Sequence, residues 1–127
     1  MAHPSDRKYS NEHEWVMLDG DTAAIGISDF AQDQLGEVVY VDLPAVGDNV
    51  AAGDSFGEIE SVKSVSELFA PVTGEIVAVN DSLGDSPETV NQDPHGEGWM
   101  VKVKVQDPSE LDGLMSAEEY DAFITEG

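Results

Sequence analysis

One lysine stands apart in this chain. Between Lys8 and Lys102 the only basic side chain is Lys63, set in the stretch Glu60-Ser61-Val62-Lys63-Ser64-Val65-Ser66-Glu67. A two-residue turn centred on Lys63 and Ser64 would pair Val62 with Val65, Ser61 with Ser66 and Ile59 with Leu68, like with like. That turn lacks the Gly, Asn or Asp that tight hairpins favour, a local conflict that points to a requirement at the tip. The same register opposes Glu60 to Glu67, so two carboxylates flank the amine. A hairpin-tip lysine is ordinarily a solvated charge, and relief of surface carboxylates is worth only about 0–1 kcal/mol. In a sequence that has shed nearly every other lysine, the one kept is the residue through which a function would run. The chemistry open to it is that of a single accessible primary amine.

No other residue set offers as much. The chain has no cysteine, which removes disulfides, thiolate metal ligands and thiol catalysis. His3, His13 and His95 are too dispersed for a metal-ligand spacing, and His13-Glu14 lacks a second histidine four residues on. His95 falls in Asp93-Pro94-His95-Gly96-Glu97-Gly98, which reads as a surface loop. Walker loops, dinucleotide fingerprints and nucleophile elbows are missing. Asp81-Ser82-Leu83 copies the tripeptide around the modified serine of acyl carrier proteins, but there it opens a helix. Here it follows a β-branched strand and precedes Gly84 and Pro87, so it reads as a turn.

The elements that would position Lys63 can be read along the chain. At 127 residues one domain is expected, 1–127, with residues 1–8 frayed; such a domain buries about two thirds of its unfolded surface. Trp15 to Leu18 and Thr22 to Ile27 flank Asp19-Gly20 as a hairpin. Ser28 reads as the N-cap of a helix reaching Leu35, with Gly36 after its end. Further strands are read at Glu37–Leu43, Phe56–Val62, Val65–Ala70 and Glu75–Asn80. Trp99, Val101, Val103 and Val105 alternate with Met100, Lys102 and Lys104, a half-buried strand of period two. Asp107-Pro108-Ser109-Glu110 and Ser116 with Glu119 read as capping boxes of two short C-terminal helices. Leu111, Leu114, Met115, Tyr120, Phe123 and Ile124 would pack these on the β core.

Gly36-Glu37-Val38-Val39-Tyr40-Val41-Asp42 repeats as Gly74-Glu75-Ile76-Val77-Ala78-Val79-Asn80, and Val46-Gly47-Asp48 as Leu83-Gly84-Asp85. Two halves, each a strand followed by a Gly-Asp turn, predict a quasi-twofold sandwich with Lys63 between them. The fold class expected is mainly β: a flattened sandwich, or barrel-sandwich hybrid, of two antiparallel sheets, with a short helix in the N-terminal half and short C-terminal helices.

Charge narrows the partners. Against 27 Asp and Glu stand five Lys and Arg, a net charge of −22. Phosphate-driven nucleic-acid binding is excluded. The acids alternate with Val, Ile and Leu rather than forming a tail, which suits a folded domain in concentrated salt, where screening acts over about 3 Å at 1 M. No run of about 18 apolar residues exists, and the N-terminus has no apolar core of a secretory signal; a cytoplasmic protein is expected.

At this point the sequence resembles a known family. Gly53-Asp54-Ser55-Phe56-Gly57, Glu60-Ser61-Val62-Lys63-Ser64 and Ala70-Pro71-Val72-Thr73-Gly74 together resemble the lipoyl-attachment segment of glycine cleavage H proteins. His13-Glu14-Trp15-Val16, Ile25 to Asp33, Leu35 to Pro44, Gly98 to Val103 and Glu118-Glu119-Tyr120 resemble other parts of that family, from about Tyr9 to Phe123. The resemblance implies a non-catalytic carrier with lipoate in amide linkage to Lys63. Its partners would be a PLP-dependent glycine decarboxylase, which loads an aminomethyl group, and a tetrahydrofolate-dependent aminomethyltransferase, which removes it. A dihydrolipoyl dehydrogenase would reoxidise the dithiol, and a lipoate-attaching enzyme would install it; the carrier would be a monomer. It also implies a surface cleft for the loaded arm, with Glu14 and Glu67 at matching positions; position 34, often His in such proteins, is Gln34, and position 12 is Glu12.

Rival carriers fit less well. Biotinyl domains flank their lysine with Met, and lipoyl domains of 2-oxoacid dehydrogenases carry Asp-Lys-Ala and lack the extra segments. A lipoyl relay to other enzymes, and an unmodified acidic module that recruits a basic partner, stay open on sequence alone.

Overall fold

The structure, a computed structural model, describes residues 3–126. The strands are β1 (Lys8–Tyr9), β2 (Glu14–Asp19), β3 (Thr22–Ile27), β4 (Val38–Asp42), β5 (Asn49–Val50), β6 (Ser55–Ser61), β7 (Val65–Phe69), β8 (Gly74–Val79) and β9 (Val101–Val105). They form a six-stranded sheet, order β1-β2-β3-β9-β8-β5, and a three-stranded sheet, order β4-β6-β7, antiparallel throughout. This is the mainly β two-sheet architecture expected, as an open sandwich rather than a closed barrel.

The apolar alternation dictates which face goes inside. Val101, Val103 and Val105 are buried while Lys102 and Lys104 are exposed. With Val16, Ile25 and Ile76 they face Val38, Val41, Ile59 and Leu68 of the smaller sheet. Met100, assigned by that alternation to the lysine side, is fully buried; β9 begins only at Val101, so the period does not extend to it.

A second apolar cluster lies apart from the first. Tyr9, Trp15, Ala117 and Tyr120 pack together, with Tyr9 stacked on Tyr120 at 4.8 Å between centroids. Trp15 can lie flat here because its cross-strand partner is Gly26, where a Cβ would come within 2.8 Å of the indole. Arg7 lies over that ring, 4.6 Å from its centroid.

Two N-terminal and C-terminal expectations are corrected by this cluster. Residues 3–8 are not frayed: His3 is buried with Nδ1 2.7 Å from Asp121, and the Tyr9 hydroxyl donates to Pro4 O at 2.7 Å. Residues 1 and 2 lie outside the described residues. Phe123 does not join the core; it is 40% exposed, on the rim of Tyr120 and His13.

The helices are α1 (Asp29–Leu35), α2 (Ser82–Asp85), α3 (Thr89–Gln92), a 3-10 helix (Pro108–Gly113) and α4 (Ala117–Glu126). Ser28 caps α1 as expected, its hydroxyl accepting from Ala31 N. Ser116 and Glu119 form the reciprocal box, Ser116 N to Glu119 Oε1 at 2.9 Å and Glu119 N to Ser116 Oγ at 3.2 Å. The other box fails at its far end. Asp107 accepts from Ser109 N, but Glu110 turns away and accepts from Thr73 N and Oγ1 at 2.7 and 2.8 Å. Ser82 opens the one-turn α2 instead of a plain turn.

The internal repeat is only half structural. Its strands become β4 and β8, one in each sheet. Its turns diverge: Gly47 has φ 99°, whereas Gly84 lies in α2. Instead Gly47 and Asp48 hydrogen-bond with Ile76, so the loop after β4 is fastened onto β8.

Among the described residues the ion pairs are His3–Asp121 and Arg7–Asp6. Most acids among the described residues thus face solvent without an ion pair. Thermal melts in increasing KCl are expected to move the midpoint upward by several degrees between dilute buffer and molar salt; a midpoint indifferent to salt would remove the high-salt reading.

Candidate functional site

Lys63 lies at an exposed hairpin tip, but the hairpin closes in a different register from the one expected. Observed cross-strand partners are Glu60 with Val65, Ile59 with Ser66 and Glu58 with Glu67. Ser61 N donates to Ser64 O at 2.8 Å, so Val62 and Lys63, not Lys63 and Ser64, are the central pair. The cause is Ser61: its Oγ accepts from Lys63 N at 3.4 Å and Ser64 N at 3.2 Å. A side-chain hydroxyl thus takes up amides that a Gly-containing turn would direct elsewhere. The shift preserves which face each side chain occupies, because each strand alternates with period two. It does separate Glu60 from Glu67, and the opposed acids become Glu58 and Glu67, with Asp42 next across from Glu58.

The tip is also tied to the rest of the fold. Val62 N donates to Glu37 O at 3.0 Å. Gly36, the residue after α1, has φ 81° and ψ −156°, a conformation essentially confined to glycine. The Lys63 stem passes over it: a Cβ at Gly36 would sit 3.3 Å from Lys63 Cε and 3.8 Å from Nζ. Asn91 fixes this corner, with Nδ2 donating to Gly36 O at 2.8 Å and Oδ1 accepting from Val38 N at 2.8 Å. Among the described residues Lys63 makes no ion pair.

The three cleft candidates come together. Glu14, Gln34 and Glu67 line one cleft of about 180 Å³, with Glu12, His13 and Ser66 beside them. Ile27, Ala31, Leu35, Ile59 and Leu68 supply an apolar lining. Gln34 and Leu35 immediately precede Gly36, so the cleft and the Lys63 stem share one short piece of chain. No Lys or Arg lines this cleft; an apolar tether with a cationic end is the chemistry it suits.

Its polar groups differ. Gln34 and Glu67 are exposed, whereas Glu14 is 2% exposed. Glu14 Oε1 accepts from Ser10 Oγ at 2.9 Å and Oε2 from Phe69 N at 3.0 Å. Burial outweighs both hydrogen bonds and pushes its carboxyl up to about 7. Burial lowers His13 from the usual imidazole value, with Glu12 opposing. Among the described residues no group of three or more His, Cys, Asp or Glu could hold a metal ion.

Sequence reading missed the residues behind the cleft. His95 is half-buried and its Nε2 accepts from Asp29 N at 3.2 Å, so its loop is a support for α1. Burial drives its pKa down to about 4. Asn91 and Tyr120 also act by long-range contacts that no local spacing announces, and Ser10 by contacts within its own loop.

Two outcomes follow. Gly36→Ala forces alanine into a glycine-only conformation and is expected to lower unfolding free energy by about 1–3 kcal/mol in urea titrations; an unmoved midpoint would contradict it. For Glu14 the folded-state pKa lies above its ordinary 4.5, so its contribution to stability is full below about pH 4.5 and is lost as pH rises through about 7. His13 and His95, both lowered, act with the opposite sign nearby. The difference between wild type and Glu14→Gln in molar KCl therefore isolates the carboxyl, and should change by up to about 3 kcal/mol from pH 5 to 8. A pH-independent difference would show the carboxyl to be ionised throughout.

Comparison with known proteins agrees with this geometry. The family model described as "Glycine cleavage H-protein" matches residues 7–127. A glycine cleavage system H protein of Carboxydothermus hydrogenoformans is 53% identical over 123 residues, 97% of this chain and 95% of that protein. One from Staphylococcus saprophyticus is 54% identical over 126 residues, 99% of this chain and 100% of its own. The crystal structure of a glycine cleavage system H protein from Mycobacterium marinum superposes with a TM-score of 0.90 at 40% identity, covering 97% of this chain and 99% of that one. This chain therefore belongs to the glycine cleavage H-protein family, the non-catalytic lipoyl carriers of the glycine cleavage system.

Proposed function

We propose that Lys63 is the lipoate attachment point of this carrier and that residues 1–127 act as one lipoyl-carrier domain. The observation that carries the reading is the setting of Lys63: exposed, unpaired among the described residues, and with its stem laid over the glycine that follows the cleft-lining Gln34 and Leu35. An amide at Nζ removes the lysine charge, which costs no ion pair. The cleft suits the group, since its apolar lining matches an alkyl tether and its carboxylates match an amine carried at the end. When bound, lipoate would supply a dithiolane that takes up the aminomethyl carbon of glycine on one sulfur while the other becomes a thiol, and the dithiol left after transfer would give up two electrons on reoxidation.

The chain's own residues bind and orient. Ile27, Ala31, Leu35, Ile59 and Leu68 exclude water from a docked tether. Glu14, fixed by Ser10 and Phe69, holds a proton at its carboxyl near neutral pH. Glu67 and Gln34, on the exposed rim, meet the amine first. The partners of this reading are a PLP-dependent glycine decarboxylase, a tetrahydrofolate-dependent aminomethyltransferase, dihydrolipoyl dehydrogenase and a lipoate-attaching enzyme, with the carrier monomeric and cytoplasmic. That compartment rests on those partners and not on the finding that no helix among the described residues is long and apolar enough to cross a membrane.

Intact-mass measurement of the protein from its native host is the test. One lipoyl-sized increment is expected, absent from Lys63→Ala. An unmodified wild type in a host that lipoylates other proteins, or an increment that survives the substitution, would overturn the assignment.

A further inference from the structure

Two stretches of the cleft lining are joined from behind by a single phenol. Tyr120, fully buried in α4, has its hydroxyl 2.8 Å from His13 Nδ1 and 2.7 Å from Ser28 Oγ. His13 belongs to the Ser10–Glu14 loop, which brings Glu12, His13 and Glu14 to the cleft. Ser28 caps α1, which brings Ala31, Gln34 and Leu35 to it. The backbone adds one more link, Ser28 N to His13 O at 3.0 Å.

Both ends of this link are under demand. His13 has φ 69°, a left-handed conformation that a non-glycine residue keeps only when its surroundings fix it. Ser28 Oγ already accepts from Ala31 N at 3.1 Å, so its own proton is free to go to Tyr120, whose proton can pass on to His13 Nδ1. Removing the phenolic oxygen leaves two polar groups short of a partner at once.

We infer that Tyr120 is a positioning residue for the cleft: its hydroxyl, held between His13 and Ser28, sets the spacing of the Ser10–Glu14 loop and α1 and thereby the closeness with which an arm on Lys63 is shielded. The inference rests on the reading of Lys63 and its cleft given above. The molecule supplies its own control. Tyr9 is stacked on Tyr120 and equally buried, but its hydroxyl points to Pro4 O, away from the cleft. Tyr120→Phe and Tyr9→Phe each delete one hydroxyl from the same aromatic pair while keeping both rings.

The first measurement uses the unmodified full chain. Amide hydrogen exchange at Ala31 and Gln32, both bonded to Ser28, is expected to quicken about fivefold in Tyr120→Phe and to stay at the wild-type rate in Tyr9→Phe. The second uses the lipoylated chain loaded with the aminomethyl group. Escape to water breaks the carbon–sulfur bond, returns the sulfur as a thiol, and takes one water to yield formaldehyde and ammonium. Formaldehyde release is expected to rise by a similar factor in Tyr120→Phe alone. His13→Gly, which adopts the left-handed backbone without strain, removes the partner atom and cuts the same link from the other side, and should behave alike if Tyr120→Phe proves too unstable to load. Equal behaviour of the two Tyr variants, or faster exchange without faster release, would overturn the inference and leave Tyr120 a structural residue. If wild type releases formaldehyde as fast in urea as when folded, it is the cleft reading that fails, while the exchange comparison still judges the link.

Discussion

A hairpin that must carry a lysine at its tip cannot give that place to the glycine a tight turn prefers, and the way Ser61 resolves this conflict underlies the site. Its hydroxyl accepts from both Lys63 N and Ser64 N, so the turn is closed by a side chain set back in the strand. Val62 and Lys63 are thereby left at the exposed crest. Glu37 O reaches into the tip, through Val62 N, and it does so from the segment that leads out of α1. The attachment point proposed here is therefore fixed to the same corner that forms one end of the cleft.

Around that corner the two sheets are joined by a polar contact as well as by the apolar core. Glu14 opens β2 of the larger sheet, yet its carboxyl accepts from Phe69 N on β7, the edge of the smaller one. A carboxyl buried to this degree, with two donors and no cation, is raised rather than lowered. It serves as a strut that keeps its proton up to about pH 7, in a molecule whose other acids are mostly solvated. His95 and Asn91 do comparable work at the two ends of α1. The cleft is thus built on contacts between residues 55 and more positions apart for Glu14 and Phe69, Gly36 and Asn91, and Asp29 and His95.

This explains what the sequence did and did not disclose. Period-two alternation located the strands, and the caps at Ser28 and Ser116 were legible because capping is a local affair of three residues. Lys63 was legible for a different reason: an acidic sequence has so few lysines that position carries meaning. The hairpin register was misread by two residues because turn preferences count backbone conformers and ignore a serine that can replace the missing amide acceptor. The capping box at Asp107 failed because Glu110 found Thr73, a partner 37 positions away. Tyr120 looked like core filling; its hydroxyl acquires a second meaning only after α4 has folded back beside the Ser10–Glu14 loop.

The path of Lys63 over Gly36 has a geometric corollary. With Cε only 3.3 Å from where a Cβ would stand on Gly36, the last methylenes of the side chain lie along the protein rather than out from it. Free rotation of anything joined to Nζ then begins near that nitrogen instead of at the lysine backbone. A leash pivoting from a point already beside its berth sweeps a smaller volume than one pivoting from the hairpin crest, and its far end spends more of its time at the cleft mouth, as a higher effective concentration. Retention and departure are then governed by the short leash and by the partner that draws it away, with little search in between.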